Sequence, residues 1–230
     1  MGKKMPGCKN PLLWRNYNCS GKGCFFRIRN TYSGNGFLYD MDGDGVEELV
    51  LVYRSSALAD EQNTVCTAYT VDEHGNPVML WDAKPLVGTT TKASGVSLCR
   101  VEGTLYLAIR YEKETTETFT IQDDSDLLAG LWGEFSSHEE SRTTTTVEWT
   151  LYAFENSSLS YYASAGGRQT VDSSGAVVAG DGHTPNGGSG WNSFQNWLSK
   201  TEILYGAGPD ESHSYNKNRL NMNELLEKCS

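Results

Sequence analysis

Alternation of apolar and polar residues dominates the middle of the chain and predicts β-strands. Residues 46–53 end in a near-continuous apolar run of β-branched and aromatic type, which is typical of a strand covered on both faces. Alternating segments separated by short polar turns predict three hairpins, formed by residues 64–71 with 77–81, residues 97–101 with 104–111, and residues 143–155 with 159–164.

The third hairpin places Val147, Trp149 and Leu151 on one face, and we expect these side chains in the core. Several short strands with turn residues between them favour an antiparallel arrangement. The pattern therefore predicts a mainly β fold of antiparallel sheets built from hairpins, arranged either like propeller blades or like a sandwich.

Helical patterns are few and lie toward the C-terminus. Residues 191–204 place several large apolar side chains on one helical face. Residues 221–229 begin with two candidate N-caps, Asn221 and Asn223, and would turn Leu225 inward. We therefore predict short helices in the last 40 residues of the chain.

Changes in composition divide the chain into four predicted parts. Residues 1–30 form a basic, cysteine-containing N-terminal segment, and residues 31–164 form a β domain. Residues 165–190 hold eight glycines in 26 residues and are predicted to be a long loop, because this composition buries little apolar surface. Residues 191–230 are predicted to be a helical C-terminal cap that packs on the β domain.

Charge and hydropathy argue against two classes of protein. Nineteen basic and 29 acidic residues give a net charge of −10, whereas a nucleic-acid binder needs a positive field. The longest apolar runs have five residues, and a membrane-spanning helix needs about 18 or more. We therefore expect neither a nucleic-acid partner nor a membrane span. The first 30 residues differ from the rest, with seven basic and no acidic side chains.

Six cysteines leave the cellular compartment open. They are compatible with disulfides in an exported protein and equally with buried free thiols. Cys66 and Cys99 fall inside strand-like segments, where a small buried thiol is common without any bond. The remaining cysteines lack the paired spacing of a zinc site.

An acidic segment between two apolar runs carries the strongest chemical signal. Carboxylates at positions 1, 3 and 5 of a tight loop can converge on a hard cation, and Gly45 at position 6 permits the sharp turn. Six or seven oxygen donors favour Ca²⁺ over Mg²⁺. The alternative is an acidic turn that only solubilises a hairpin. The predicted ligands are Asp40, Asp42, Asp44, the backbone carbonyl of Val46, and Glu48.

The loop is not an EF-hand, because position 12 is Leu51 rather than glutamate and a strand pattern follows it. Residues 37–51 resemble the calcium loop of FG-GAP and VCBS-type repeats, as in integrin α-chain propellers. The resemblance implies a single copy of a strand–loop–strand unit with Ca²⁺ bound in the hairpin loop. It also implies an exported protein of bacterial type, extracellular or on the cell surface.

The sequence contains none of three common catalytic or phosphate-binding motifs. There is no zinc-protease helix motif, no nucleophile elbow and no phosphate-binding loop.

Three aromatic residues, Trp191, Tyr161 and Tyr162, are candidates for a binding surface. The sequence thus favours a non-catalytic, calcium-stabilised binding module for a protein or carbohydrate partner. The alternatives are a secreted hydrolase whose site the sequence does not reveal, and a structural domain of a larger surface assembly.

Overall fold

A computed structural model describes residues 34–54, 64–72, 77–85, 93–122, 137–155, 158–208 and 216–228. The basic N-terminal segment, residues 1–30, lies outside these ranges. The described residues form strands β1 Gly34–Tyr39, β2 Glu48–Arg54, β3 Thr64–Val71, β4 Pro77–Pro85, β5 Ala93–Val101, β6 Thr104–Gln122, β7 Ser137–Glu155, β8 Ser158–Val171, β9 Val177–His183, β10 Glu202–Ala207 and β11 Leu220–Asn221, and helices α1 Trp191–Lys200 and α2 Met222–Lys228.

The strands form two antiparallel sheets. The first sheet has the order β11-β1-β2-β3-β4, and the second has the order β10-β5-β6-β7-β8-β9. Consecutive strands of the predicted hairpins pair as neighbours, namely β3 with β4, β5 with β6, and β7 with β8. The prediction of a mainly β fold with antiparallel hairpins is confirmed, and the two-sheet arrangement is consistent with the sandwich alternative.

The main core lies between the two sheets. The first sheet contributes side chains from β1, β2, β3 and β4, and the second contributes side chains from β5, β6 and β10. Each fully buried leucine or valine of this layer stabilises the fold by about 1.5–3 kcal/mol relative to an exposed one. The buried residues include Phe37, Val50, Val52, Ala68, Trp81, Val96, Leu98 and Leu107.

Each helix covers the outer face of one sheet. Helix α1 packs Phe194 and Trp197 against Trp149 on the second sheet. Helix α2 places Leu225 against Leu49 and Leu51 on the first sheet. Strand β2 is therefore covered on both faces, and Trp149 is a core residue, as the apolar pattern predicted.

The glycine-rich segment, residues 165–190, is not a long loop. It contains the end of β8 and all of β9, which pair with each other, and β8 also pairs with β7. The prediction was wrong because these glycines permit close approach rather than flexibility. A Cβ at Gly167 would lie 2.7 Å from the Trp191 ring, and one at Gly182 would lie 2.8 Å from the Gly190 carbonyl oxygen.

The helix predicted over residues 191–204 is shorter than expected. It ends at Lys200, because Glu202–Ala207 pairs with β5 and completes the edge of the second sheet. At α2, the Asn221 side chain accepts hydrogen bonds from the backbone N–H groups of Asn223 and Glu224 and is the N-cap. Neither helix, nor any other within the described ranges, has the length and apolar content needed to span a bilayer.

The two cysteines within the described residues, Cys66 and Cys99, are free thiols and are fully buried. Burial raises the pKa of both thiols. They therefore behave as small apolar core residues, one of the two alternatives left open by the sequence.

Candidate metal centre

The acidic segment forms the connection between β1 and β2. These strands pair antiparallel, with Tyr39 opposite Glu48, so that Asp40 and Glu48 lie at the two ends of one hairpin loop. Met41 points into the core between the sheets and is only 8% exposed. This apolar anchor holds the start of the loop against the sandwich while the following residues are exposed to solvent.

Asp40 organises the tip of the loop through its carboxylate. Its Oδ1 accepts a hydrogen bond from the Gly43 N–H at 2.8 Å, and its Oδ2 accepts one from the Gly45 N–H at 3.0 Å. Both glycines have positive φ, 78° for Gly43 and 85° for Gly45. Residues with a side chain rarely adopt a positive φ. The two glycines therefore allow the backbone to turn around the carboxylate.

Glu48 is the most buried acidic group at the site, with 1% of its surface exposed. Its two carboxylate oxygens accept hydrogen bonds from the Met41 N–H at 2.7 Å and the Thr70 hydroxyl at 3.0 Å. Burial raises the pKa of Glu48 to about 7; the two hydrogen bonds lower it, and the nearby charges of Asp42 and Asp44 raise it further. A cation in the loop would favour the ionised form.

Three of the predicted ligands converge. One carboxylate oxygen each of Asp40, Asp42 and Glu48 lies within 4.8 Å of the other two. Asp44 is outside this group, and its Oδ1 instead accepts a hydrogen bond from the Val46 N–H at 2.7 Å. The roles of Asp44 and of the Val46 carbonyl as ligands therefore stay predictions.

The converging group suits a hard cation. All three donors are carboxylate oxygens, which are the ligands that Ca²⁺ and Mg²⁺ prefer. Each oxygen that already accepts an N–H has further lone-pair capacity for a metal. Without a cation, three carboxylates at this separation repel one another. Burial is the main cause of the raised pKa of Glu48, and the charge of Asp42 raises it further.

The three aromatic residues predicted as candidates for a binding surface do not share one face of the protein. Tyr161 and Tyr162 are 62% and 53% exposed, but they lie on opposite faces of the second sheet. Tyr161 contacts Tyr152, which packs on Trp81 of the first sheet, whereas Tyr162 contacts Tyr106 on the face covered by α1. Trp191 is partly buried and packs over Gly167 beside Phe194.

Sequence reasoning missed a groove between α1, the turn joining β5 to β6, and the loop that follows β9. We call it the α1 groove; it consists of two adjoining cavities of about 300 and 270 Å³. Both cavities are bounded by Val101, Glu102, Asn186 and Trp197. These residues come from three separate segments, so no local motif could have indicated the groove.

A second contact that the sequence did not indicate joins β8 and β9. The Oγ of Ser164 lies 3.1 Å from Nε2 of His183, whose ring extends over Gly166 on the neighbouring strand. His183 is exposed. This distance is within the hydrogen-bond reach that a nucleophile–base pair requires.

The chain was compared with known proteins at the levels of family, sequence and structure. No protein-family model, curated protein or solved structure matches it.

Proposed function

We propose that this chain is a calcium-stabilised, non-catalytic binding module that acts outside the cell or on its surface, with a protein or carbohydrate partner. The observation that carries the proposal is the convergence of Asp40, Asp42 and Glu48 within 4.8 Å at the tip of one hairpin. The spacing of the acidic residues, the two positive-φ glycines and the resemblance to FG-GAP and VCBS-type loops support the same ion.

Calcium would act by neutralising the loop and joining strands. Asp40 follows β1, Glu48 begins β2, and Glu48 is hydrogen-bonded to Thr70 on β3. For a dissociation constant of about 0.1 mM, calcium at about 1 mM adds roughly 1.4 kcal/mol to the free energy of unfolding. Loops of this affinity are occupied where calcium is in the millimolar range, which supports a location outside the cell.

The test is the melting temperature of chelator-treated protein with and without added calcium. We expect calcium at 1–5 mM to raise the melting temperature by a few degrees, on the order of 2–8 °C, for a stabilisation of about 1.4 kcal/mol. Asp42→Ala removes one converging ligand and should abolish the rise. Glu47→Gln is the matched control, because it removes one charge from an exposed residue of the same loop that is outside the converging group.

Two results would contradict the calcium proposal. One is an unchanged melting temperature at saturating calcium. The other is an equal loss of the response in Asp42→Ala and Glu47→Gln, because that would trace the effect to general charge screening rather than coordination.

A secreted hydrolase is the second candidate function, and one observation favours it. The Ser164–His183 contact places a hydroxyl within hydrogen-bond reach of an imidazole base. The test is turnover of a simple activated ester such as p-nitrophenyl acetate. A hydrolase predicts turnover that Ser164→Ala abolishes; turnover that is equal in both proteins, or absent from both, argues for the binding module.

A further inference from the structure

The two cavities of the α1 groove differ in the residues that bound them. The cavity of about 270 Å³, which we call the tyrosine side, is bounded by Tyr106, Tyr162, Leu151 and Pro185 together with polar residues such as Thr104. The adjoining cavity of about 300 Å³, which we call the helix side, is bounded by Thr184, Ser193, Asn196 and Lys200 together with Val101 and Trp197. A site of this kind offers flat apolar surface for packing and separate polar groups for orientation.

The tyrosine side is held in place by contacts within the protein. The Tyr106 and Tyr162 rings lie 4.8 Å apart between centroids, and Tyr106 is 8% exposed. Burial, with the hydrogen bond to Tyr162, raises the pKa of Tyr106 to about 12, so its phenol stays neutral across the physiological range. Tyr162 itself is 53% exposed and leaves part of its ring free for contact.

The helix side is bounded in part by the loop that follows β9. Thr184 is buried, and its hydroxyl donates to Oδ1 of Asn186 and accepts from the Gly188 N–H at 2.9 Å. The backbone groups of Thr184 and Gly188 are also hydrogen-bonded, which closes the loop. Because Oδ1 of Asn186 is engaged, its amide hydrogens remain as donors for a ligand.

The charge of the groove is balanced. Glu102, on the turn between β5 and β6, and Lys200, at the end of α1, are the charged residues among those that bound the two cavities. One acid and one base provide no net field for an anion or a cation. The ligand expected here is uncharged, with one apolar face and several hydroxyl groups.

We infer that the α1 groove binds a neutral carbohydrate. A pyranose ring has an apolar face of C–H groups that can pack on Tyr162, and peripheral hydroxyls that can reach Asn186, Glu102 and the polar side chains of the helix side. This inference rests on the proposed function as a binding module, of which it names the site and the class of ligand. It does not depend on whether the acidic loop binds calcium.

The test uses neutral hexasaccharides as probes: cellohexaose, xylohexaose, mannohexaose and chitohexaose. Each is titrated into the full chain by calorimetry and by two-dimensional NMR, once with calcium and once with chelator. A sulfated hexasaccharide and an extended proline-rich peptide are titrated in parallel. We expect saturable binding of at least one neutral hexasaccharide, with shifts at the resonances of Tyr162 and Asn186.

Tyr162→Ala is the informative variant, and Tyr161→Ala is its matched control. The two tyrosines are neighbours of similar exposure, but only Tyr162 lies at the groove. Loss of the ring should weaken saccharide binding about tenfold or more in Tyr162→Ala, as expected for an aromatic anchor, and leave it unchanged in Tyr161→Ala. Both tyrosines are more than half exposed, so both variants should fold, which thermal unfolding checks.

Three results would overturn the inference. They are failure of all four neutral probes, preference for the sulfated saccharide or the peptide, and equal weakening by the two alanine substitutions. A calcium-dependent melting temperature together with failure of all neutral probes leaves the calcium proposal standing and removes this one. Saccharide binding without any calcium response does the reverse.

Discussion

Burial and a bound cation would have opposite effects on the protonation of Glu48. As a buried side chain with two hydrogen bonds it belongs to the core, where burial favours the neutral acid. As one of three converging carboxylates it would serve a cation only when ionised. In the metal-free protein, ionisation of Glu48 therefore lowers the free energy of unfolding.

That cost predicts an inverse dependence of stability on pH for the chelator-treated protein. The unfolded chain loses the Glu48 proton near pH 4.5, whereas the folded chain keeps it until about pH 7. Because the folded state binds more protons between these values, the free energy of unfolding should fall as the pH rises through this range. The fall is up to about 3 kcal/mol for this group. Denaturant unfolding at pH 5 and pH 8 measures it.

Glu48→Gln is the control for this prediction. The glutamine can accept from the Met41 N–H and donate to the Thr70 hydroxyl, so it keeps the hydrogen-bond positions without titrating. The difference in stability between pH 5 and pH 8 should shrink in this variant by the contribution of Glu48. An identical pH dependence in both proteins would show that other groups are responsible.

Glu102 predicts a second effect, in which stability and binding change in opposite directions. It has a φ of 49° at the turn between β5 and β6, a conformation that asparagine adopts more readily. Glu102→Asn should raise the free energy of unfolding by about 1 kcal/mol. The same change should weaken saccharide binding, because it removes a carboxylate from the α1 groove. Denaturant unfolding measures the stability and calorimetry measures the saccharide binding of the same variant. A stabilised variant with unchanged binding would show that Glu102 does not contact the saccharide.

At the level of elements, glycines determine how closely α1 approaches the second sheet. Trp191 and Phe194 occupy the space where a Cβ of Gly167 would lie, at 2.7 and 3.0 Å. Phe194 is fully buried there and packs with Trp197 and Trp149. The glycines of β8 and β9 thus provide a flat surface on which the aromatic face of α1 packs.

This packing predicts unequal effects for two glycine substitutions. Gly167→Ala should lower the free energy of unfolding by about 1–3 kcal/mol, because the added methyl group forces the Trp191 ring to move. Gly180→Ala should be nearly neutral, since its Cβ would meet the Trp191 Cβ at 3.4 Å, an ordinary contact. Chemical denaturation of both variants tests this. Equal stability would mean that α1 shifts without cost.

The elements were predictable where a short-range pattern decides them. The alternation in β5, β6 and β7 and the apolar run of β2 follow from side-chain period and burial, and each of these strands is present. The glycine-rich segment was misread because composition does not reveal what lies opposite each glycine. Trp191, which fills that space, is 24 positions from Gly167 along the chain.

The candidate metal centre was predictable to a similar extent. The spacing of Asp40, Asp42 and Glu48 around Gly45 predicted that their carboxylates converge, and in the structure these three do. Nothing local indicated that Asp44 would turn to the Val46 N–H or that Thr70 would reach Glu48 from β3. The α1 groove depends on the packing of three segments that are distant in sequence, so it could not be predicted from the sequence.

At the level of the whole molecule, two sheets pack face to face and a helix covers the outer face of each. The acidic loop is tied into this arrangement at several points. Met41 enters the core between the sheets, and Glu48 joins the start of the loop to β3. A cation bound here would therefore stabilise β1, β2 and β3 together rather than the hairpin alone.

The most direct test of the account is calcium binding measured by isothermal titration calorimetry on chelator-stripped protein near pH 8, where Glu48 is ionised. We predict saturable binding of one ion by the acidic loop, with a dissociation constant on the order of 0.1 mM and loss of binding in Asp42→Ala. Absence of binding at calcium concentrations of about 10 mM, or full binding by Asp42→Ala, would contradict the central claim.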